Sequence, residues 1–323
     1  MGGDKMRKSR GIVLLMALVL VILICSSCTA GQKEEVTIAY QYGLAYIPIE
    51  LVKDLRMLEE ACGDKYEIKW TMLNSGQAVN EGLAAGSVDV AAIGVAPFIT
   101  GVVRGVDYKI VSGLSSQPLE LMTNRDDVNS LKDITSESKI AMGSLGSMQH
   151  ILLAMACENE LGDAHALDNM VMSLSHPDAA NALMSGSIDF HVASPPYLYI
   201  EQETEGIHSV EAISKVWPQG NSFVVIAATS AFKDRCPEVF EYLYTAVAEA
   251  VEYVNANKEE VAAMYCEEQG ITKEQLLSYL NDPSCIYDCE THGVMDLAKF
   301  MTENGFTDEA ELTEKDLYFS EAG

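Results

Sequence analysis

Three residues near the C-terminus have the types and spacing of a metal site. Cys285, Cys289 and His292 form a Cys-x3-Cys-x2-His pattern, and thiolates and imidazoles are the ligands that zinc prefers. A structural zinc site usually takes four such ligands, and no second pair with matching spacing stands nearby in the sequence. The pattern therefore favours free thiols, or one local disulfide, and we expect no bound metal and no cofactor.

A second stretch has the residues of an anion site. In the segment SLGSMQH, four candidates, Ser144, Gly146, Ser147 and Met148, lead into a helix predicted over 147–161. The first turn of a helix has backbone N–H groups without partners inside the helix, and these groups can hold an oxyanion. Ser147 has the side chain of an N-cap, and the same hydroxyl can also contact a ligand.

Further candidate binding residues stand where predicted strands end. Tyrosine offers a flat apolar face with a hydroxyl, and glycine lets the backbone approach a ligand closely. These candidates are Gln41, Tyr42, Leu44 and Tyr46 after the first strand, Ser75 and Gly76 after the second, Gly94 and Val95 after the third, and Ser194, Pro195 and Asn221 in the second half. Lone histidines such as His176 and His191 are expected to be packed or hydrogen-bonded rather than to contact ligand.

The elements that must position these residues alternate along the chain. Strands are predicted at 36–41, 66–73 and 88–94, with a helix at 48–62 between the first two and one at 77–85 before the third. Alternation of strands and helices predicts a largely parallel sheet covered by helices, which is an α/β fold.

The same order of elements begins again after residues 115–119. A strand is expected at 120–124, and a late strand within 221–232 is expected to pair beside it. Helices follow Pro237, and possible capping boxes at 257–260 and 272–275 predict two more. We therefore divide the chain into these parts: a leader at 1–27, a linker at 28–35, a first lobe of 36–117 with 236–323, and a second lobe of 118–235.

One phrase is written twice at a constant offset. The matched pairs are Leu83 with Leu183, Gly86 with Gly186, Ser87 with Ser187, and Asp89 with Asp189. In each copy the glycine ends a helix and the aspartate begins a strand. Since ligands of open α/β sheets lie at the carboxyl ends of strands, the two copies predict facing half-sites. The aspartates themselves are expected to bond backbone N–H groups in the helix-to-strand turn.

The N-terminus has the pattern of an export signal. Basic residues precede an apolar run of 14 residues at 11–24, which is short for a membrane span of about 20. Residues 24–28 resemble the lipobox of bacterial lipoproteins, which implies cleavage before Cys28 and diacylation of its thiol. An uncleaved N-terminal anchor is the alternative. Both interpretations place the body outside the cytoplasm, held at the membrane.

Size and charge limit the classes of function. A chain of 323 residues is long enough for two lobes, and its formal net charge is −27 although the leader contributes +3. This charge argues against nucleic acid as a partner, since binding to a phosphate backbone needs the opposite charge, but it leaves a small anionic ligand open. Six cysteines in an exported body do not make a disulfide scaffold.

Four segments, in order, resemble the extracytoplasmic substrate-binding proteins of the nitrate, sulfonate and taurine class of ABC importers. They begin at IAYQYG, LAAGSVDV, GSLGSMQH and LMSGSIDF, and the likeness runs from Val36 to about Gln269. The resemblance implies a two-lobed type II periplasmic-binding-protein-like fold with a ligand cleft between the lobes. It also implies a monomer that serves a permease and an ATPase. The family has a histidine at the position of His150, so this residue has the best claim among the histidines to touch ligand.

The resemblance implies ligand binding by hinge closure near 115–119 and 221–225, without catalysis. Serines and helix ends suit a sulfonate, nitrate or taurine-like anion, whereas the tyrosines suit a heterocycle such as a thiamin-pyrimidine precursor. A lipid-anchored ligand sensor is an alternative function. An enzyme is the other alternative function, because the family is similar to pyrimidine-forming enzymes of thiamin biosynthesis. Their cysteine-rich iron motif is absent from this sequence.

Overall fold

The computed structural model describes residues 33–319. The predicted leader and the predicted lipidation site Cys28 lie outside these residues. Within the described range, no helix combines the length and apolar character that a membrane crossing requires.

The first of two sheets, which defines lobe I, has five strands in the order β2-β1-β3-β10-β4. Its strands are β1 (Glu34–Tyr40), β2 (Tyr66–Met72), β3 (Val90–Gly94), β4 (Tyr108–Ser115) and β10 (Val224–Thr229). β1 runs parallel to β2 and β3, whereas β10 runs antiparallel to β3 and β4.

The position of β10 corrects the prediction that the late strand pairs beside residues 120–124. All six residues of β10 are buried and apolar or small, which suits a central strand covered on both faces. The chain enters this place because the Phe223 N–H donates to Ser115 O (2.8 Å) and Phe223 O accepts from the Val95 N–H (3.1 Å). Residues 224–235 therefore belong with lobe I rather than with the second lobe.

The second sheet, which defines lobe II, has the order β7-β6-β8-β5-β9. Its strands are β5 (Glu120–Thr123), β6 (Ile140–Met142), β7 (Val171–Ser173), β8 (Phe190–Ala193) and β9 (His208–Ser209). β6 runs parallel to β7 and β8, and β5 runs antiparallel to β8 and β9. Two segments, 115–119 and 221–225, connect the lobes and are called the crossovers here. Each lobe thus combines a parallel core with an antiparallel strand next to a crossover, which confirms the α/β class.

Helices flank both sheets. They are α1 (Ile47–Asp54), α2 (Met57–Cys62), α3 (Gly76–Ala84), α4 (Val95–Val103), α5 (Met148–Leu161), α6 (His176–Met184), α7 (Tyr197–Gln202), α8 (Ser230–Arg235), α9 (Pro237–Ala256), α10 (Lys258–Tyr265), α11 (Lys273–Leu280), α12 (Val294–Glu303) and α13 (Glu314–Leu317). α9 packs on α1 and α2, and α12 packs on α4. The C-terminal helices therefore cover lobe I.

Two local predictions differ from the structure. The single helix expected at 48–62 is broken, because Arg56 has a left-handed backbone (φ 53°) and leaves Leu55 exposed. At the start of α10, the side-chain amide of Asn257 donates to Tyr253 O, and Asn257 makes no capping bond to the described part of the chain. The capping box at Thr272 and Gln275 is present.

The two aspartates of the repeated phrase brace neighbouring strands. Asp89 Oδ2 accepts from the Thr37 N–H (2.9 Å), and Asp189 Oδ2 accepts from the Lys139 N–H (2.9 Å). The expected bonds within the turn are absent among the described residues, since the Ser87 N–H donates to Gly82 O and its counterpart Ser187 to Ala182 O. Both aspartates are structural.

Residues 285–292 lie across the two crossovers between the lobes. The Ser116 N–H donates to Ile286 O (2.8 Å), the Gly113 N–H to Cys289 O (2.7 Å), and the Ser222 N–H to His292 O (3.0 Å). A Cβ on Gly113 would lie 2.2 Å from Glu290 O, so this close approach requires glycine.

Candidate functional site

A cavity of ≈ 540 Å³ lies between the lobes, where strands of both sheets end. Lobe I contributes the loops after β1, β2 and β3, and lobe II contributes the loops after β6, β7 and β8. The crossovers add Gln117 and Phe223. The cavity therefore occupies the position that open α/β sheets reserve for ligands, with a wall from each lobe.

The structure brings most of the sequence-predicted residues together on this cavity. Those that line it are Gln41, Tyr42, Tyr46, Ser75, Gly76, Gly94, Ser144, Ser147, Met148, Ser194 and Pro195. Their contact with a ligand stays a prediction.

Four predicted residues lie off the cavity wall. Leu44 and Val95 are fully buried in the core. Gly146 has a left-handed backbone (φ 77°), and its N–H donates to His150 Nδ1 (3.0 Å), so it shapes the loop. Asn221 sits at the crossover, where its amide would be 2.6 Å from a Cβ on Gly293. For these residues, proximity in sequence to a strand end was misleading, because the fold places them in the core, in the loop behind the wall or at the crossover.

Four helix N-caps line the cavity. Ser75 caps α3 by accepting from the Ala78 N–H (3.2 Å), and Gly94 precedes α4 in lobe I. In lobe II, Ser147 caps α5 and Ser175 caps α6, each accepting from an N–H three residues on (3.4 Å). The N-terminal end of each helix carries partial positive charge, so the four ends together favour a negatively charged ligand.

The described residues of the cavity wall carry no formal charge at neutral pH. Among residues 33–319, those that line it include no lysine, arginine, aspartate or glutamate. An anion held here would therefore be stabilised by N–H and hydroxyl donors and helix ends rather than by an ion pair. No carboxylate on the wall would repel it.

Gln117 was missed by sequence reasoning and offers a directed donor. It lies in the first crossover and is 5 % exposed. Its Oε1 accepts from Cys285 Sγ (3.1 Å), which fixes the amide, and its Nε2 has no partner within the described part of the chain. A buried donor without a partner is unfavourable unless a ligand or water satisfies it. Its position between two strands, in SSQPL, was the available signal.

His176 is hydrogen-bonded, as expected, and the structure also places it on the cavity wall. Its Nε2 lies 3.1 Å from Gln149 Nε2, and its Nδ1 lies 3.0 Å from His191 Nε2. His191 is fully buried, and its Nδ1 lies 2.5 Å from Glu201 Oε1. A chain of polar groups thus connects the core of lobe II to the cavity.

Burial favours the neutral forms of all three groups in this chain. It lowers the pKa of His176 and of His191 to about 3. It raises the pKa of Glu201 to about 9. Desolvation penalises whichever form is charged, which is why the shifts of the imidazoles and of the carboxyl have opposite signs.

The other histidine near the site, His150, supports the wall from behind. It is 6 % exposed and does not line the cavity. Its Nδ1 accepts from the Gly146 N–H, and its Nε2 lies 3.1 Å from Asp168 Oδ1. This residue holds the loop that presents Ser144 and Ser147.

Aromatic side chains and a thioether complete the walls. Gln41 Nε2 donates to the Tyr46 hydroxyl (3.0 Å), and the Tyr42 hydroxyl donates to Glu268 O (3.3 Å). Burial raises the pKa of both tyrosines, so both stay protonated. Met148 of lobe II accepts at Sδ from the Ala96 N–H of lobe I (3.2 Å), so the lobes touch at the edge of the cavity.

The Cys-x3-Cys-x2-His pattern does not assemble around a common point. Cys285 is buried against Gln117, while His292 Nε2 lies 3.7 Å from Glu290 Oε2. The cysteines within residues 33–319 are all free thiols. Asp288, Glu290 and His292 do bring ligand atoms within 4.8 Å of one another, but this is a largely exposed acidic cluster on the segment 285–292.

The family to which the chain belongs is shown by comparison with family models. The model described as the NMT1-like family matches residues 29–267. This protein therefore belongs to the NMT1-like family. The match covers both sheets and every residue of the cavity wall.

Two curated proteins are similar to this chain at low sequence identity. The chain is 26% identical over 207 residues to a putative aliphatic sulfonates-binding protein of Bacillus subtilis, a match over 61% of this chain and 60% of that protein's length. It is also 26% identical over 260 residues to the phosphate-import protein PhnD of Mycolicibacterium smegmatis, over 71% of this chain and 79% of that protein.

Solved structures confirm the fold. The periplasmic aliphatic sulphonate binding protein SsuA of Escherichia coli superposes with a TM-score of 0.69 at 18% identity, covering 90% of this chain and 93% of that one. This likeness shows the two-lobed fold of periplasmic binding proteins.

Proposed function

We propose that this NMT1-like protein is the substrate-binding protein of an ABC importer and captures a small oxyanion, such as a sulfonate, between its lobes. One observation carries the proposal: N-caps of helices from both lobes line a single cavity that has no charged side chain among the described residues. Such a cavity attracts an anion through directed N–H groups, and no carboxylate on its described wall repels the anion.

Capture works by closure of the lobes. A ligand that touches Ser75 or Tyr42 in lobe I and Ser147 in lobe II makes its full set of contacts in the closed form alone. It therefore stabilises that form by its differential affinity for the two states. The crossovers at 115–119 and 221–225 act as the hinge, and a permease with its ATPase recognises the closed form. No chemical step is needed.

An oxyanion is favoured over a heterocycle by the donors on the wall. Gln117 Nε2 is a buried donor without a partner in residues 33–319, and it suits an acceptor-rich headgroup. The names of the two curated relatives, one for sulfonates and one for phosphate import, agree with this class. Tyr42, Tyr46 and Tyr197 on the wall support the alternative ligand, a planar heterocycle.

The protein is proposed to act outside the cytoplasm as a lipid-anchored monomer. The support is the sequence pattern before Cys28, which matches a lipoprotein signal. Mass spectrometry of the mature chain from membranes should find an N-terminal Cys28 with a diacylglyceryl group. A mature chain that begins at Met1 would support the uncleaved anchor instead.

Binding and closure can be tested together. Native mass spectrometry of protein purified without refolding should detect a co-purifying oxyanion, and adding methanesulfonate to stripped protein should reduce the radius of gyration measured by X-ray scattering. Tyr42→Ala and Ser147→Ala, on opposite lobes, should each abolish this compaction.

The matched control is Thr272→Ala, which removes an N-cap that does not line the cavity. This variant should compact like the wild type. A wild-type protein that carries a heterocycle and ignores methanesulfonate, ethanesulfonate and phosphonates would contradict the oxyanion proposal.

A further inference from the structure

We propose that Glu201, His191 and His176 form an internal proton relay that makes His176 cationic when an anion occupies the cavity. The inference rests on the proposed capture of an oxyanion and adds a specificity-determining residue to that site. Two contacts and one location carry it. Glu201 Oε1 lies 2.5 Å from His191 Nδ1, His191 Nε2 lies 3.0 Å from His176 Nδ1, and His176 lies on the cavity wall.

We assign the protons of the ligand-free protein from these contacts, with the Gln149 amide turned so that its oxygen faces His176. Glu201 Oε2 is buried without a partner in the described residues, so a proton there would be an unsatisfied donor. A proton on Oε1 is instead donated to His191 Nδ1. His191 then donates from Nε2 to His176 Nδ1, which leaves the remaining N–H of His176 at Nε2, facing Gln149 and the cavity. The Gln149 amide accepts through its oxygen, since either end of an amide can face a partner.

Binding of an anion changes the balance between two states of equal net charge. The proton on Glu201 Oε1 moves to His191 Nδ1, and the proton on His191 Nε2 moves to His176 Nδ1. The products are a Glu201 carboxylate and a His176 imidazolium that keeps its Nε2–H toward the ligand. No proton enters or leaves the protein, and no other reactant is needed.

The surroundings of His176 explain why charge separation waits for a ligand. From α7, the Tyr197 ring stacks at 6.3 Å between centroids, and from α5 the neutral Gln149 amide approaches Nε2. Asp178 lies on the same helix, where it interacts with Tyr197, and Tyr42 approaches Tyr197 from lobe I. Burial lowers the pKa of His176, with His191 adding to the effect. A bound anion supplies the compensating charge at contact distance.

A cation formed in this way suits a transport protein. A permanent arginine or lysine on the wall would hold an anion tightly in the open form as well. The relay makes His176 cationic while the anion is bound and returns it to the neutral form when the anion leaves. It also discriminates an anion from an uncharged molecule of the same shape, because a neutral guest gives the charged state no advantage.

The test uses two ligands of similar shape, methanesulfonate and the uncharged dimethyl sulfone, with the wild-type protein and Glu201→Gln. A glutamine at 201 can still donate to His191 Nδ1, but it has no proton to transfer. We expect Glu201→Gln to weaken methanesulfonate binding about tenfold to a hundredfold, the range of a charge-assisted hydrogen bond, and to leave sulfone binding unchanged. Glu50→Gln is the matched control, because Glu50 is a buried carboxyl in lobe I that does not line the cavity.

Two measurements use the wild-type protein alone and so do not depend on whether a variant folds. In ¹⁵N-histidine NMR spectra, both ring nitrogens of His176 should be protonated in the methanesulfonate complex and one in the free protein. Calorimetry in buffers of different ionisation enthalpy should give the same binding heat, since the proton comes from within the protein.

Each other result overturns the relay. A neutral His176 in the complex shows that no charge is formed, and net proton uptake from the buffer shows that solvent, not Glu201, supplies the proton. Equal losses for both ligands in Glu201→Gln show a structural role. If the wild type binds neither methanesulfonate nor any other oxyanion, the proposed function itself fails and the relay fails with it.

Discussion

Lobe I and lobe II repeat one junction and differ in the wall that it supports. In lobe I the strand that begins near Asp89 ends at Gly94, beside tyrosines and a helix N-terminus. In lobe II the strand that begins near Asp189 ends beside Ser194, and its middle carries His191 of the buried chain. The comparison teaches that the repeated phrase encodes the scaffold, while the ligand chemistry lies in residues that the repeat does not share.

The largest expected effect is the difference in stability lost when each of the two aspartates is replaced by alanine. Asp89 accepts from Thr37 and from Arg235 Nη2 (2.9 Å), and its side chain is 11% exposed, whereas Asp189 is 26% exposed and lies 3.4 Å from Arg125. We expect Asp89→Ala to lower the free energy of unfolding by about 3 kcal/mol, and Asp189→Ala by about 1 kcal/mol.

Urea unfolding followed by circular dichroism measures both losses. Glu211→Ala, at an exposed loop position, is the control and should change stability little. Equal losses at the two aspartates would contradict the view that lobe I is the more tightly braced copy.

The pH dependence of stability should separate the buried carboxyls of the two lobes. The pKa of Glu201 is raised to about 9 and that of Glu50 to about 8. In the native state each carboxyl therefore keeps a proton that the unfolded chain loses above its ordinary pKa, so stability falls as pH rises through neutrality, by at most about 1.4 kcal/mol per unit for each group. His176 and His191 have lowered pKa values and act oppositely, since stability falls as pH drops below about 6.5.

Replacement by glutamine should remove the alkaline slope. Glu201→Gln should flatten the fall in the free energy of unfolding between about pH 6.5 and 9. Glu50→Gln should flatten it over a range that ends nearer pH 8. Urea titrations at several pH values test this, and an unchanged slope in Glu201→Gln would show that its carboxyl is ionised in the native state.

Two glycines on the cavity wall, one from each lobe, should respond differently to alanine. A Cβ on Gly76 in lobe I would lie 2.5 Å from Pro97 Cβ, while one on Gly143 in lobe II would lie 3.7 Å from His176 Nε2. Gly76→Ala should therefore cost about 2 kcal/mol of stability through overpacking. Gly143→Ala should keep wild-type stability and weaken methanesulfonate binding, because its methyl group enters the cavity.

Thermal unfolding and calorimetry check this pair. A Gly76→Ala variant as stable as the wild type would show that Pro97 can move away. Full affinity in Gly143→Ala would remove the region beside His176 Nε2 from the binding site.

The fold was predictable from the sequence where local signals and packing agree. Alternating strands and helices and the repeated phrase located the two sheets and the strand ends at the cavity. The place of β10 was not predictable, because the buried residues 224–229 suit a central strand of either sheet. The bonds of Phe223 to Val95, directly after β3, and to Ser115 of β4 decide it. The place of His176 on the cavity wall was not predictable for a similar reason. His176 contacts His191, 15 residues later, and His191 contacts Glu201, 10 residues after that, so the chain of polar groups forms through tertiary packing.

The smallest differences concern the N-caps on facing walls. Within residues 33–319, Ser75 accepts from the Ala78 N–H alone, whereas Ser175 accepts from the Asp178 N–H and also donates to Asp178 Oδ2 (2.5 Å). Replacement of either serine by alanine should cost about 1 kcal/mol of stability. If both helix ends hold the same anion, both variants should also weaken methanesulfonate binding, and Thr272→Ala should lose stability without losing affinity. An affinity loss in only one of these two serine variants would mean that the ligand contacts one lobe alone. Ligand binding would then not explain closure of the lobes.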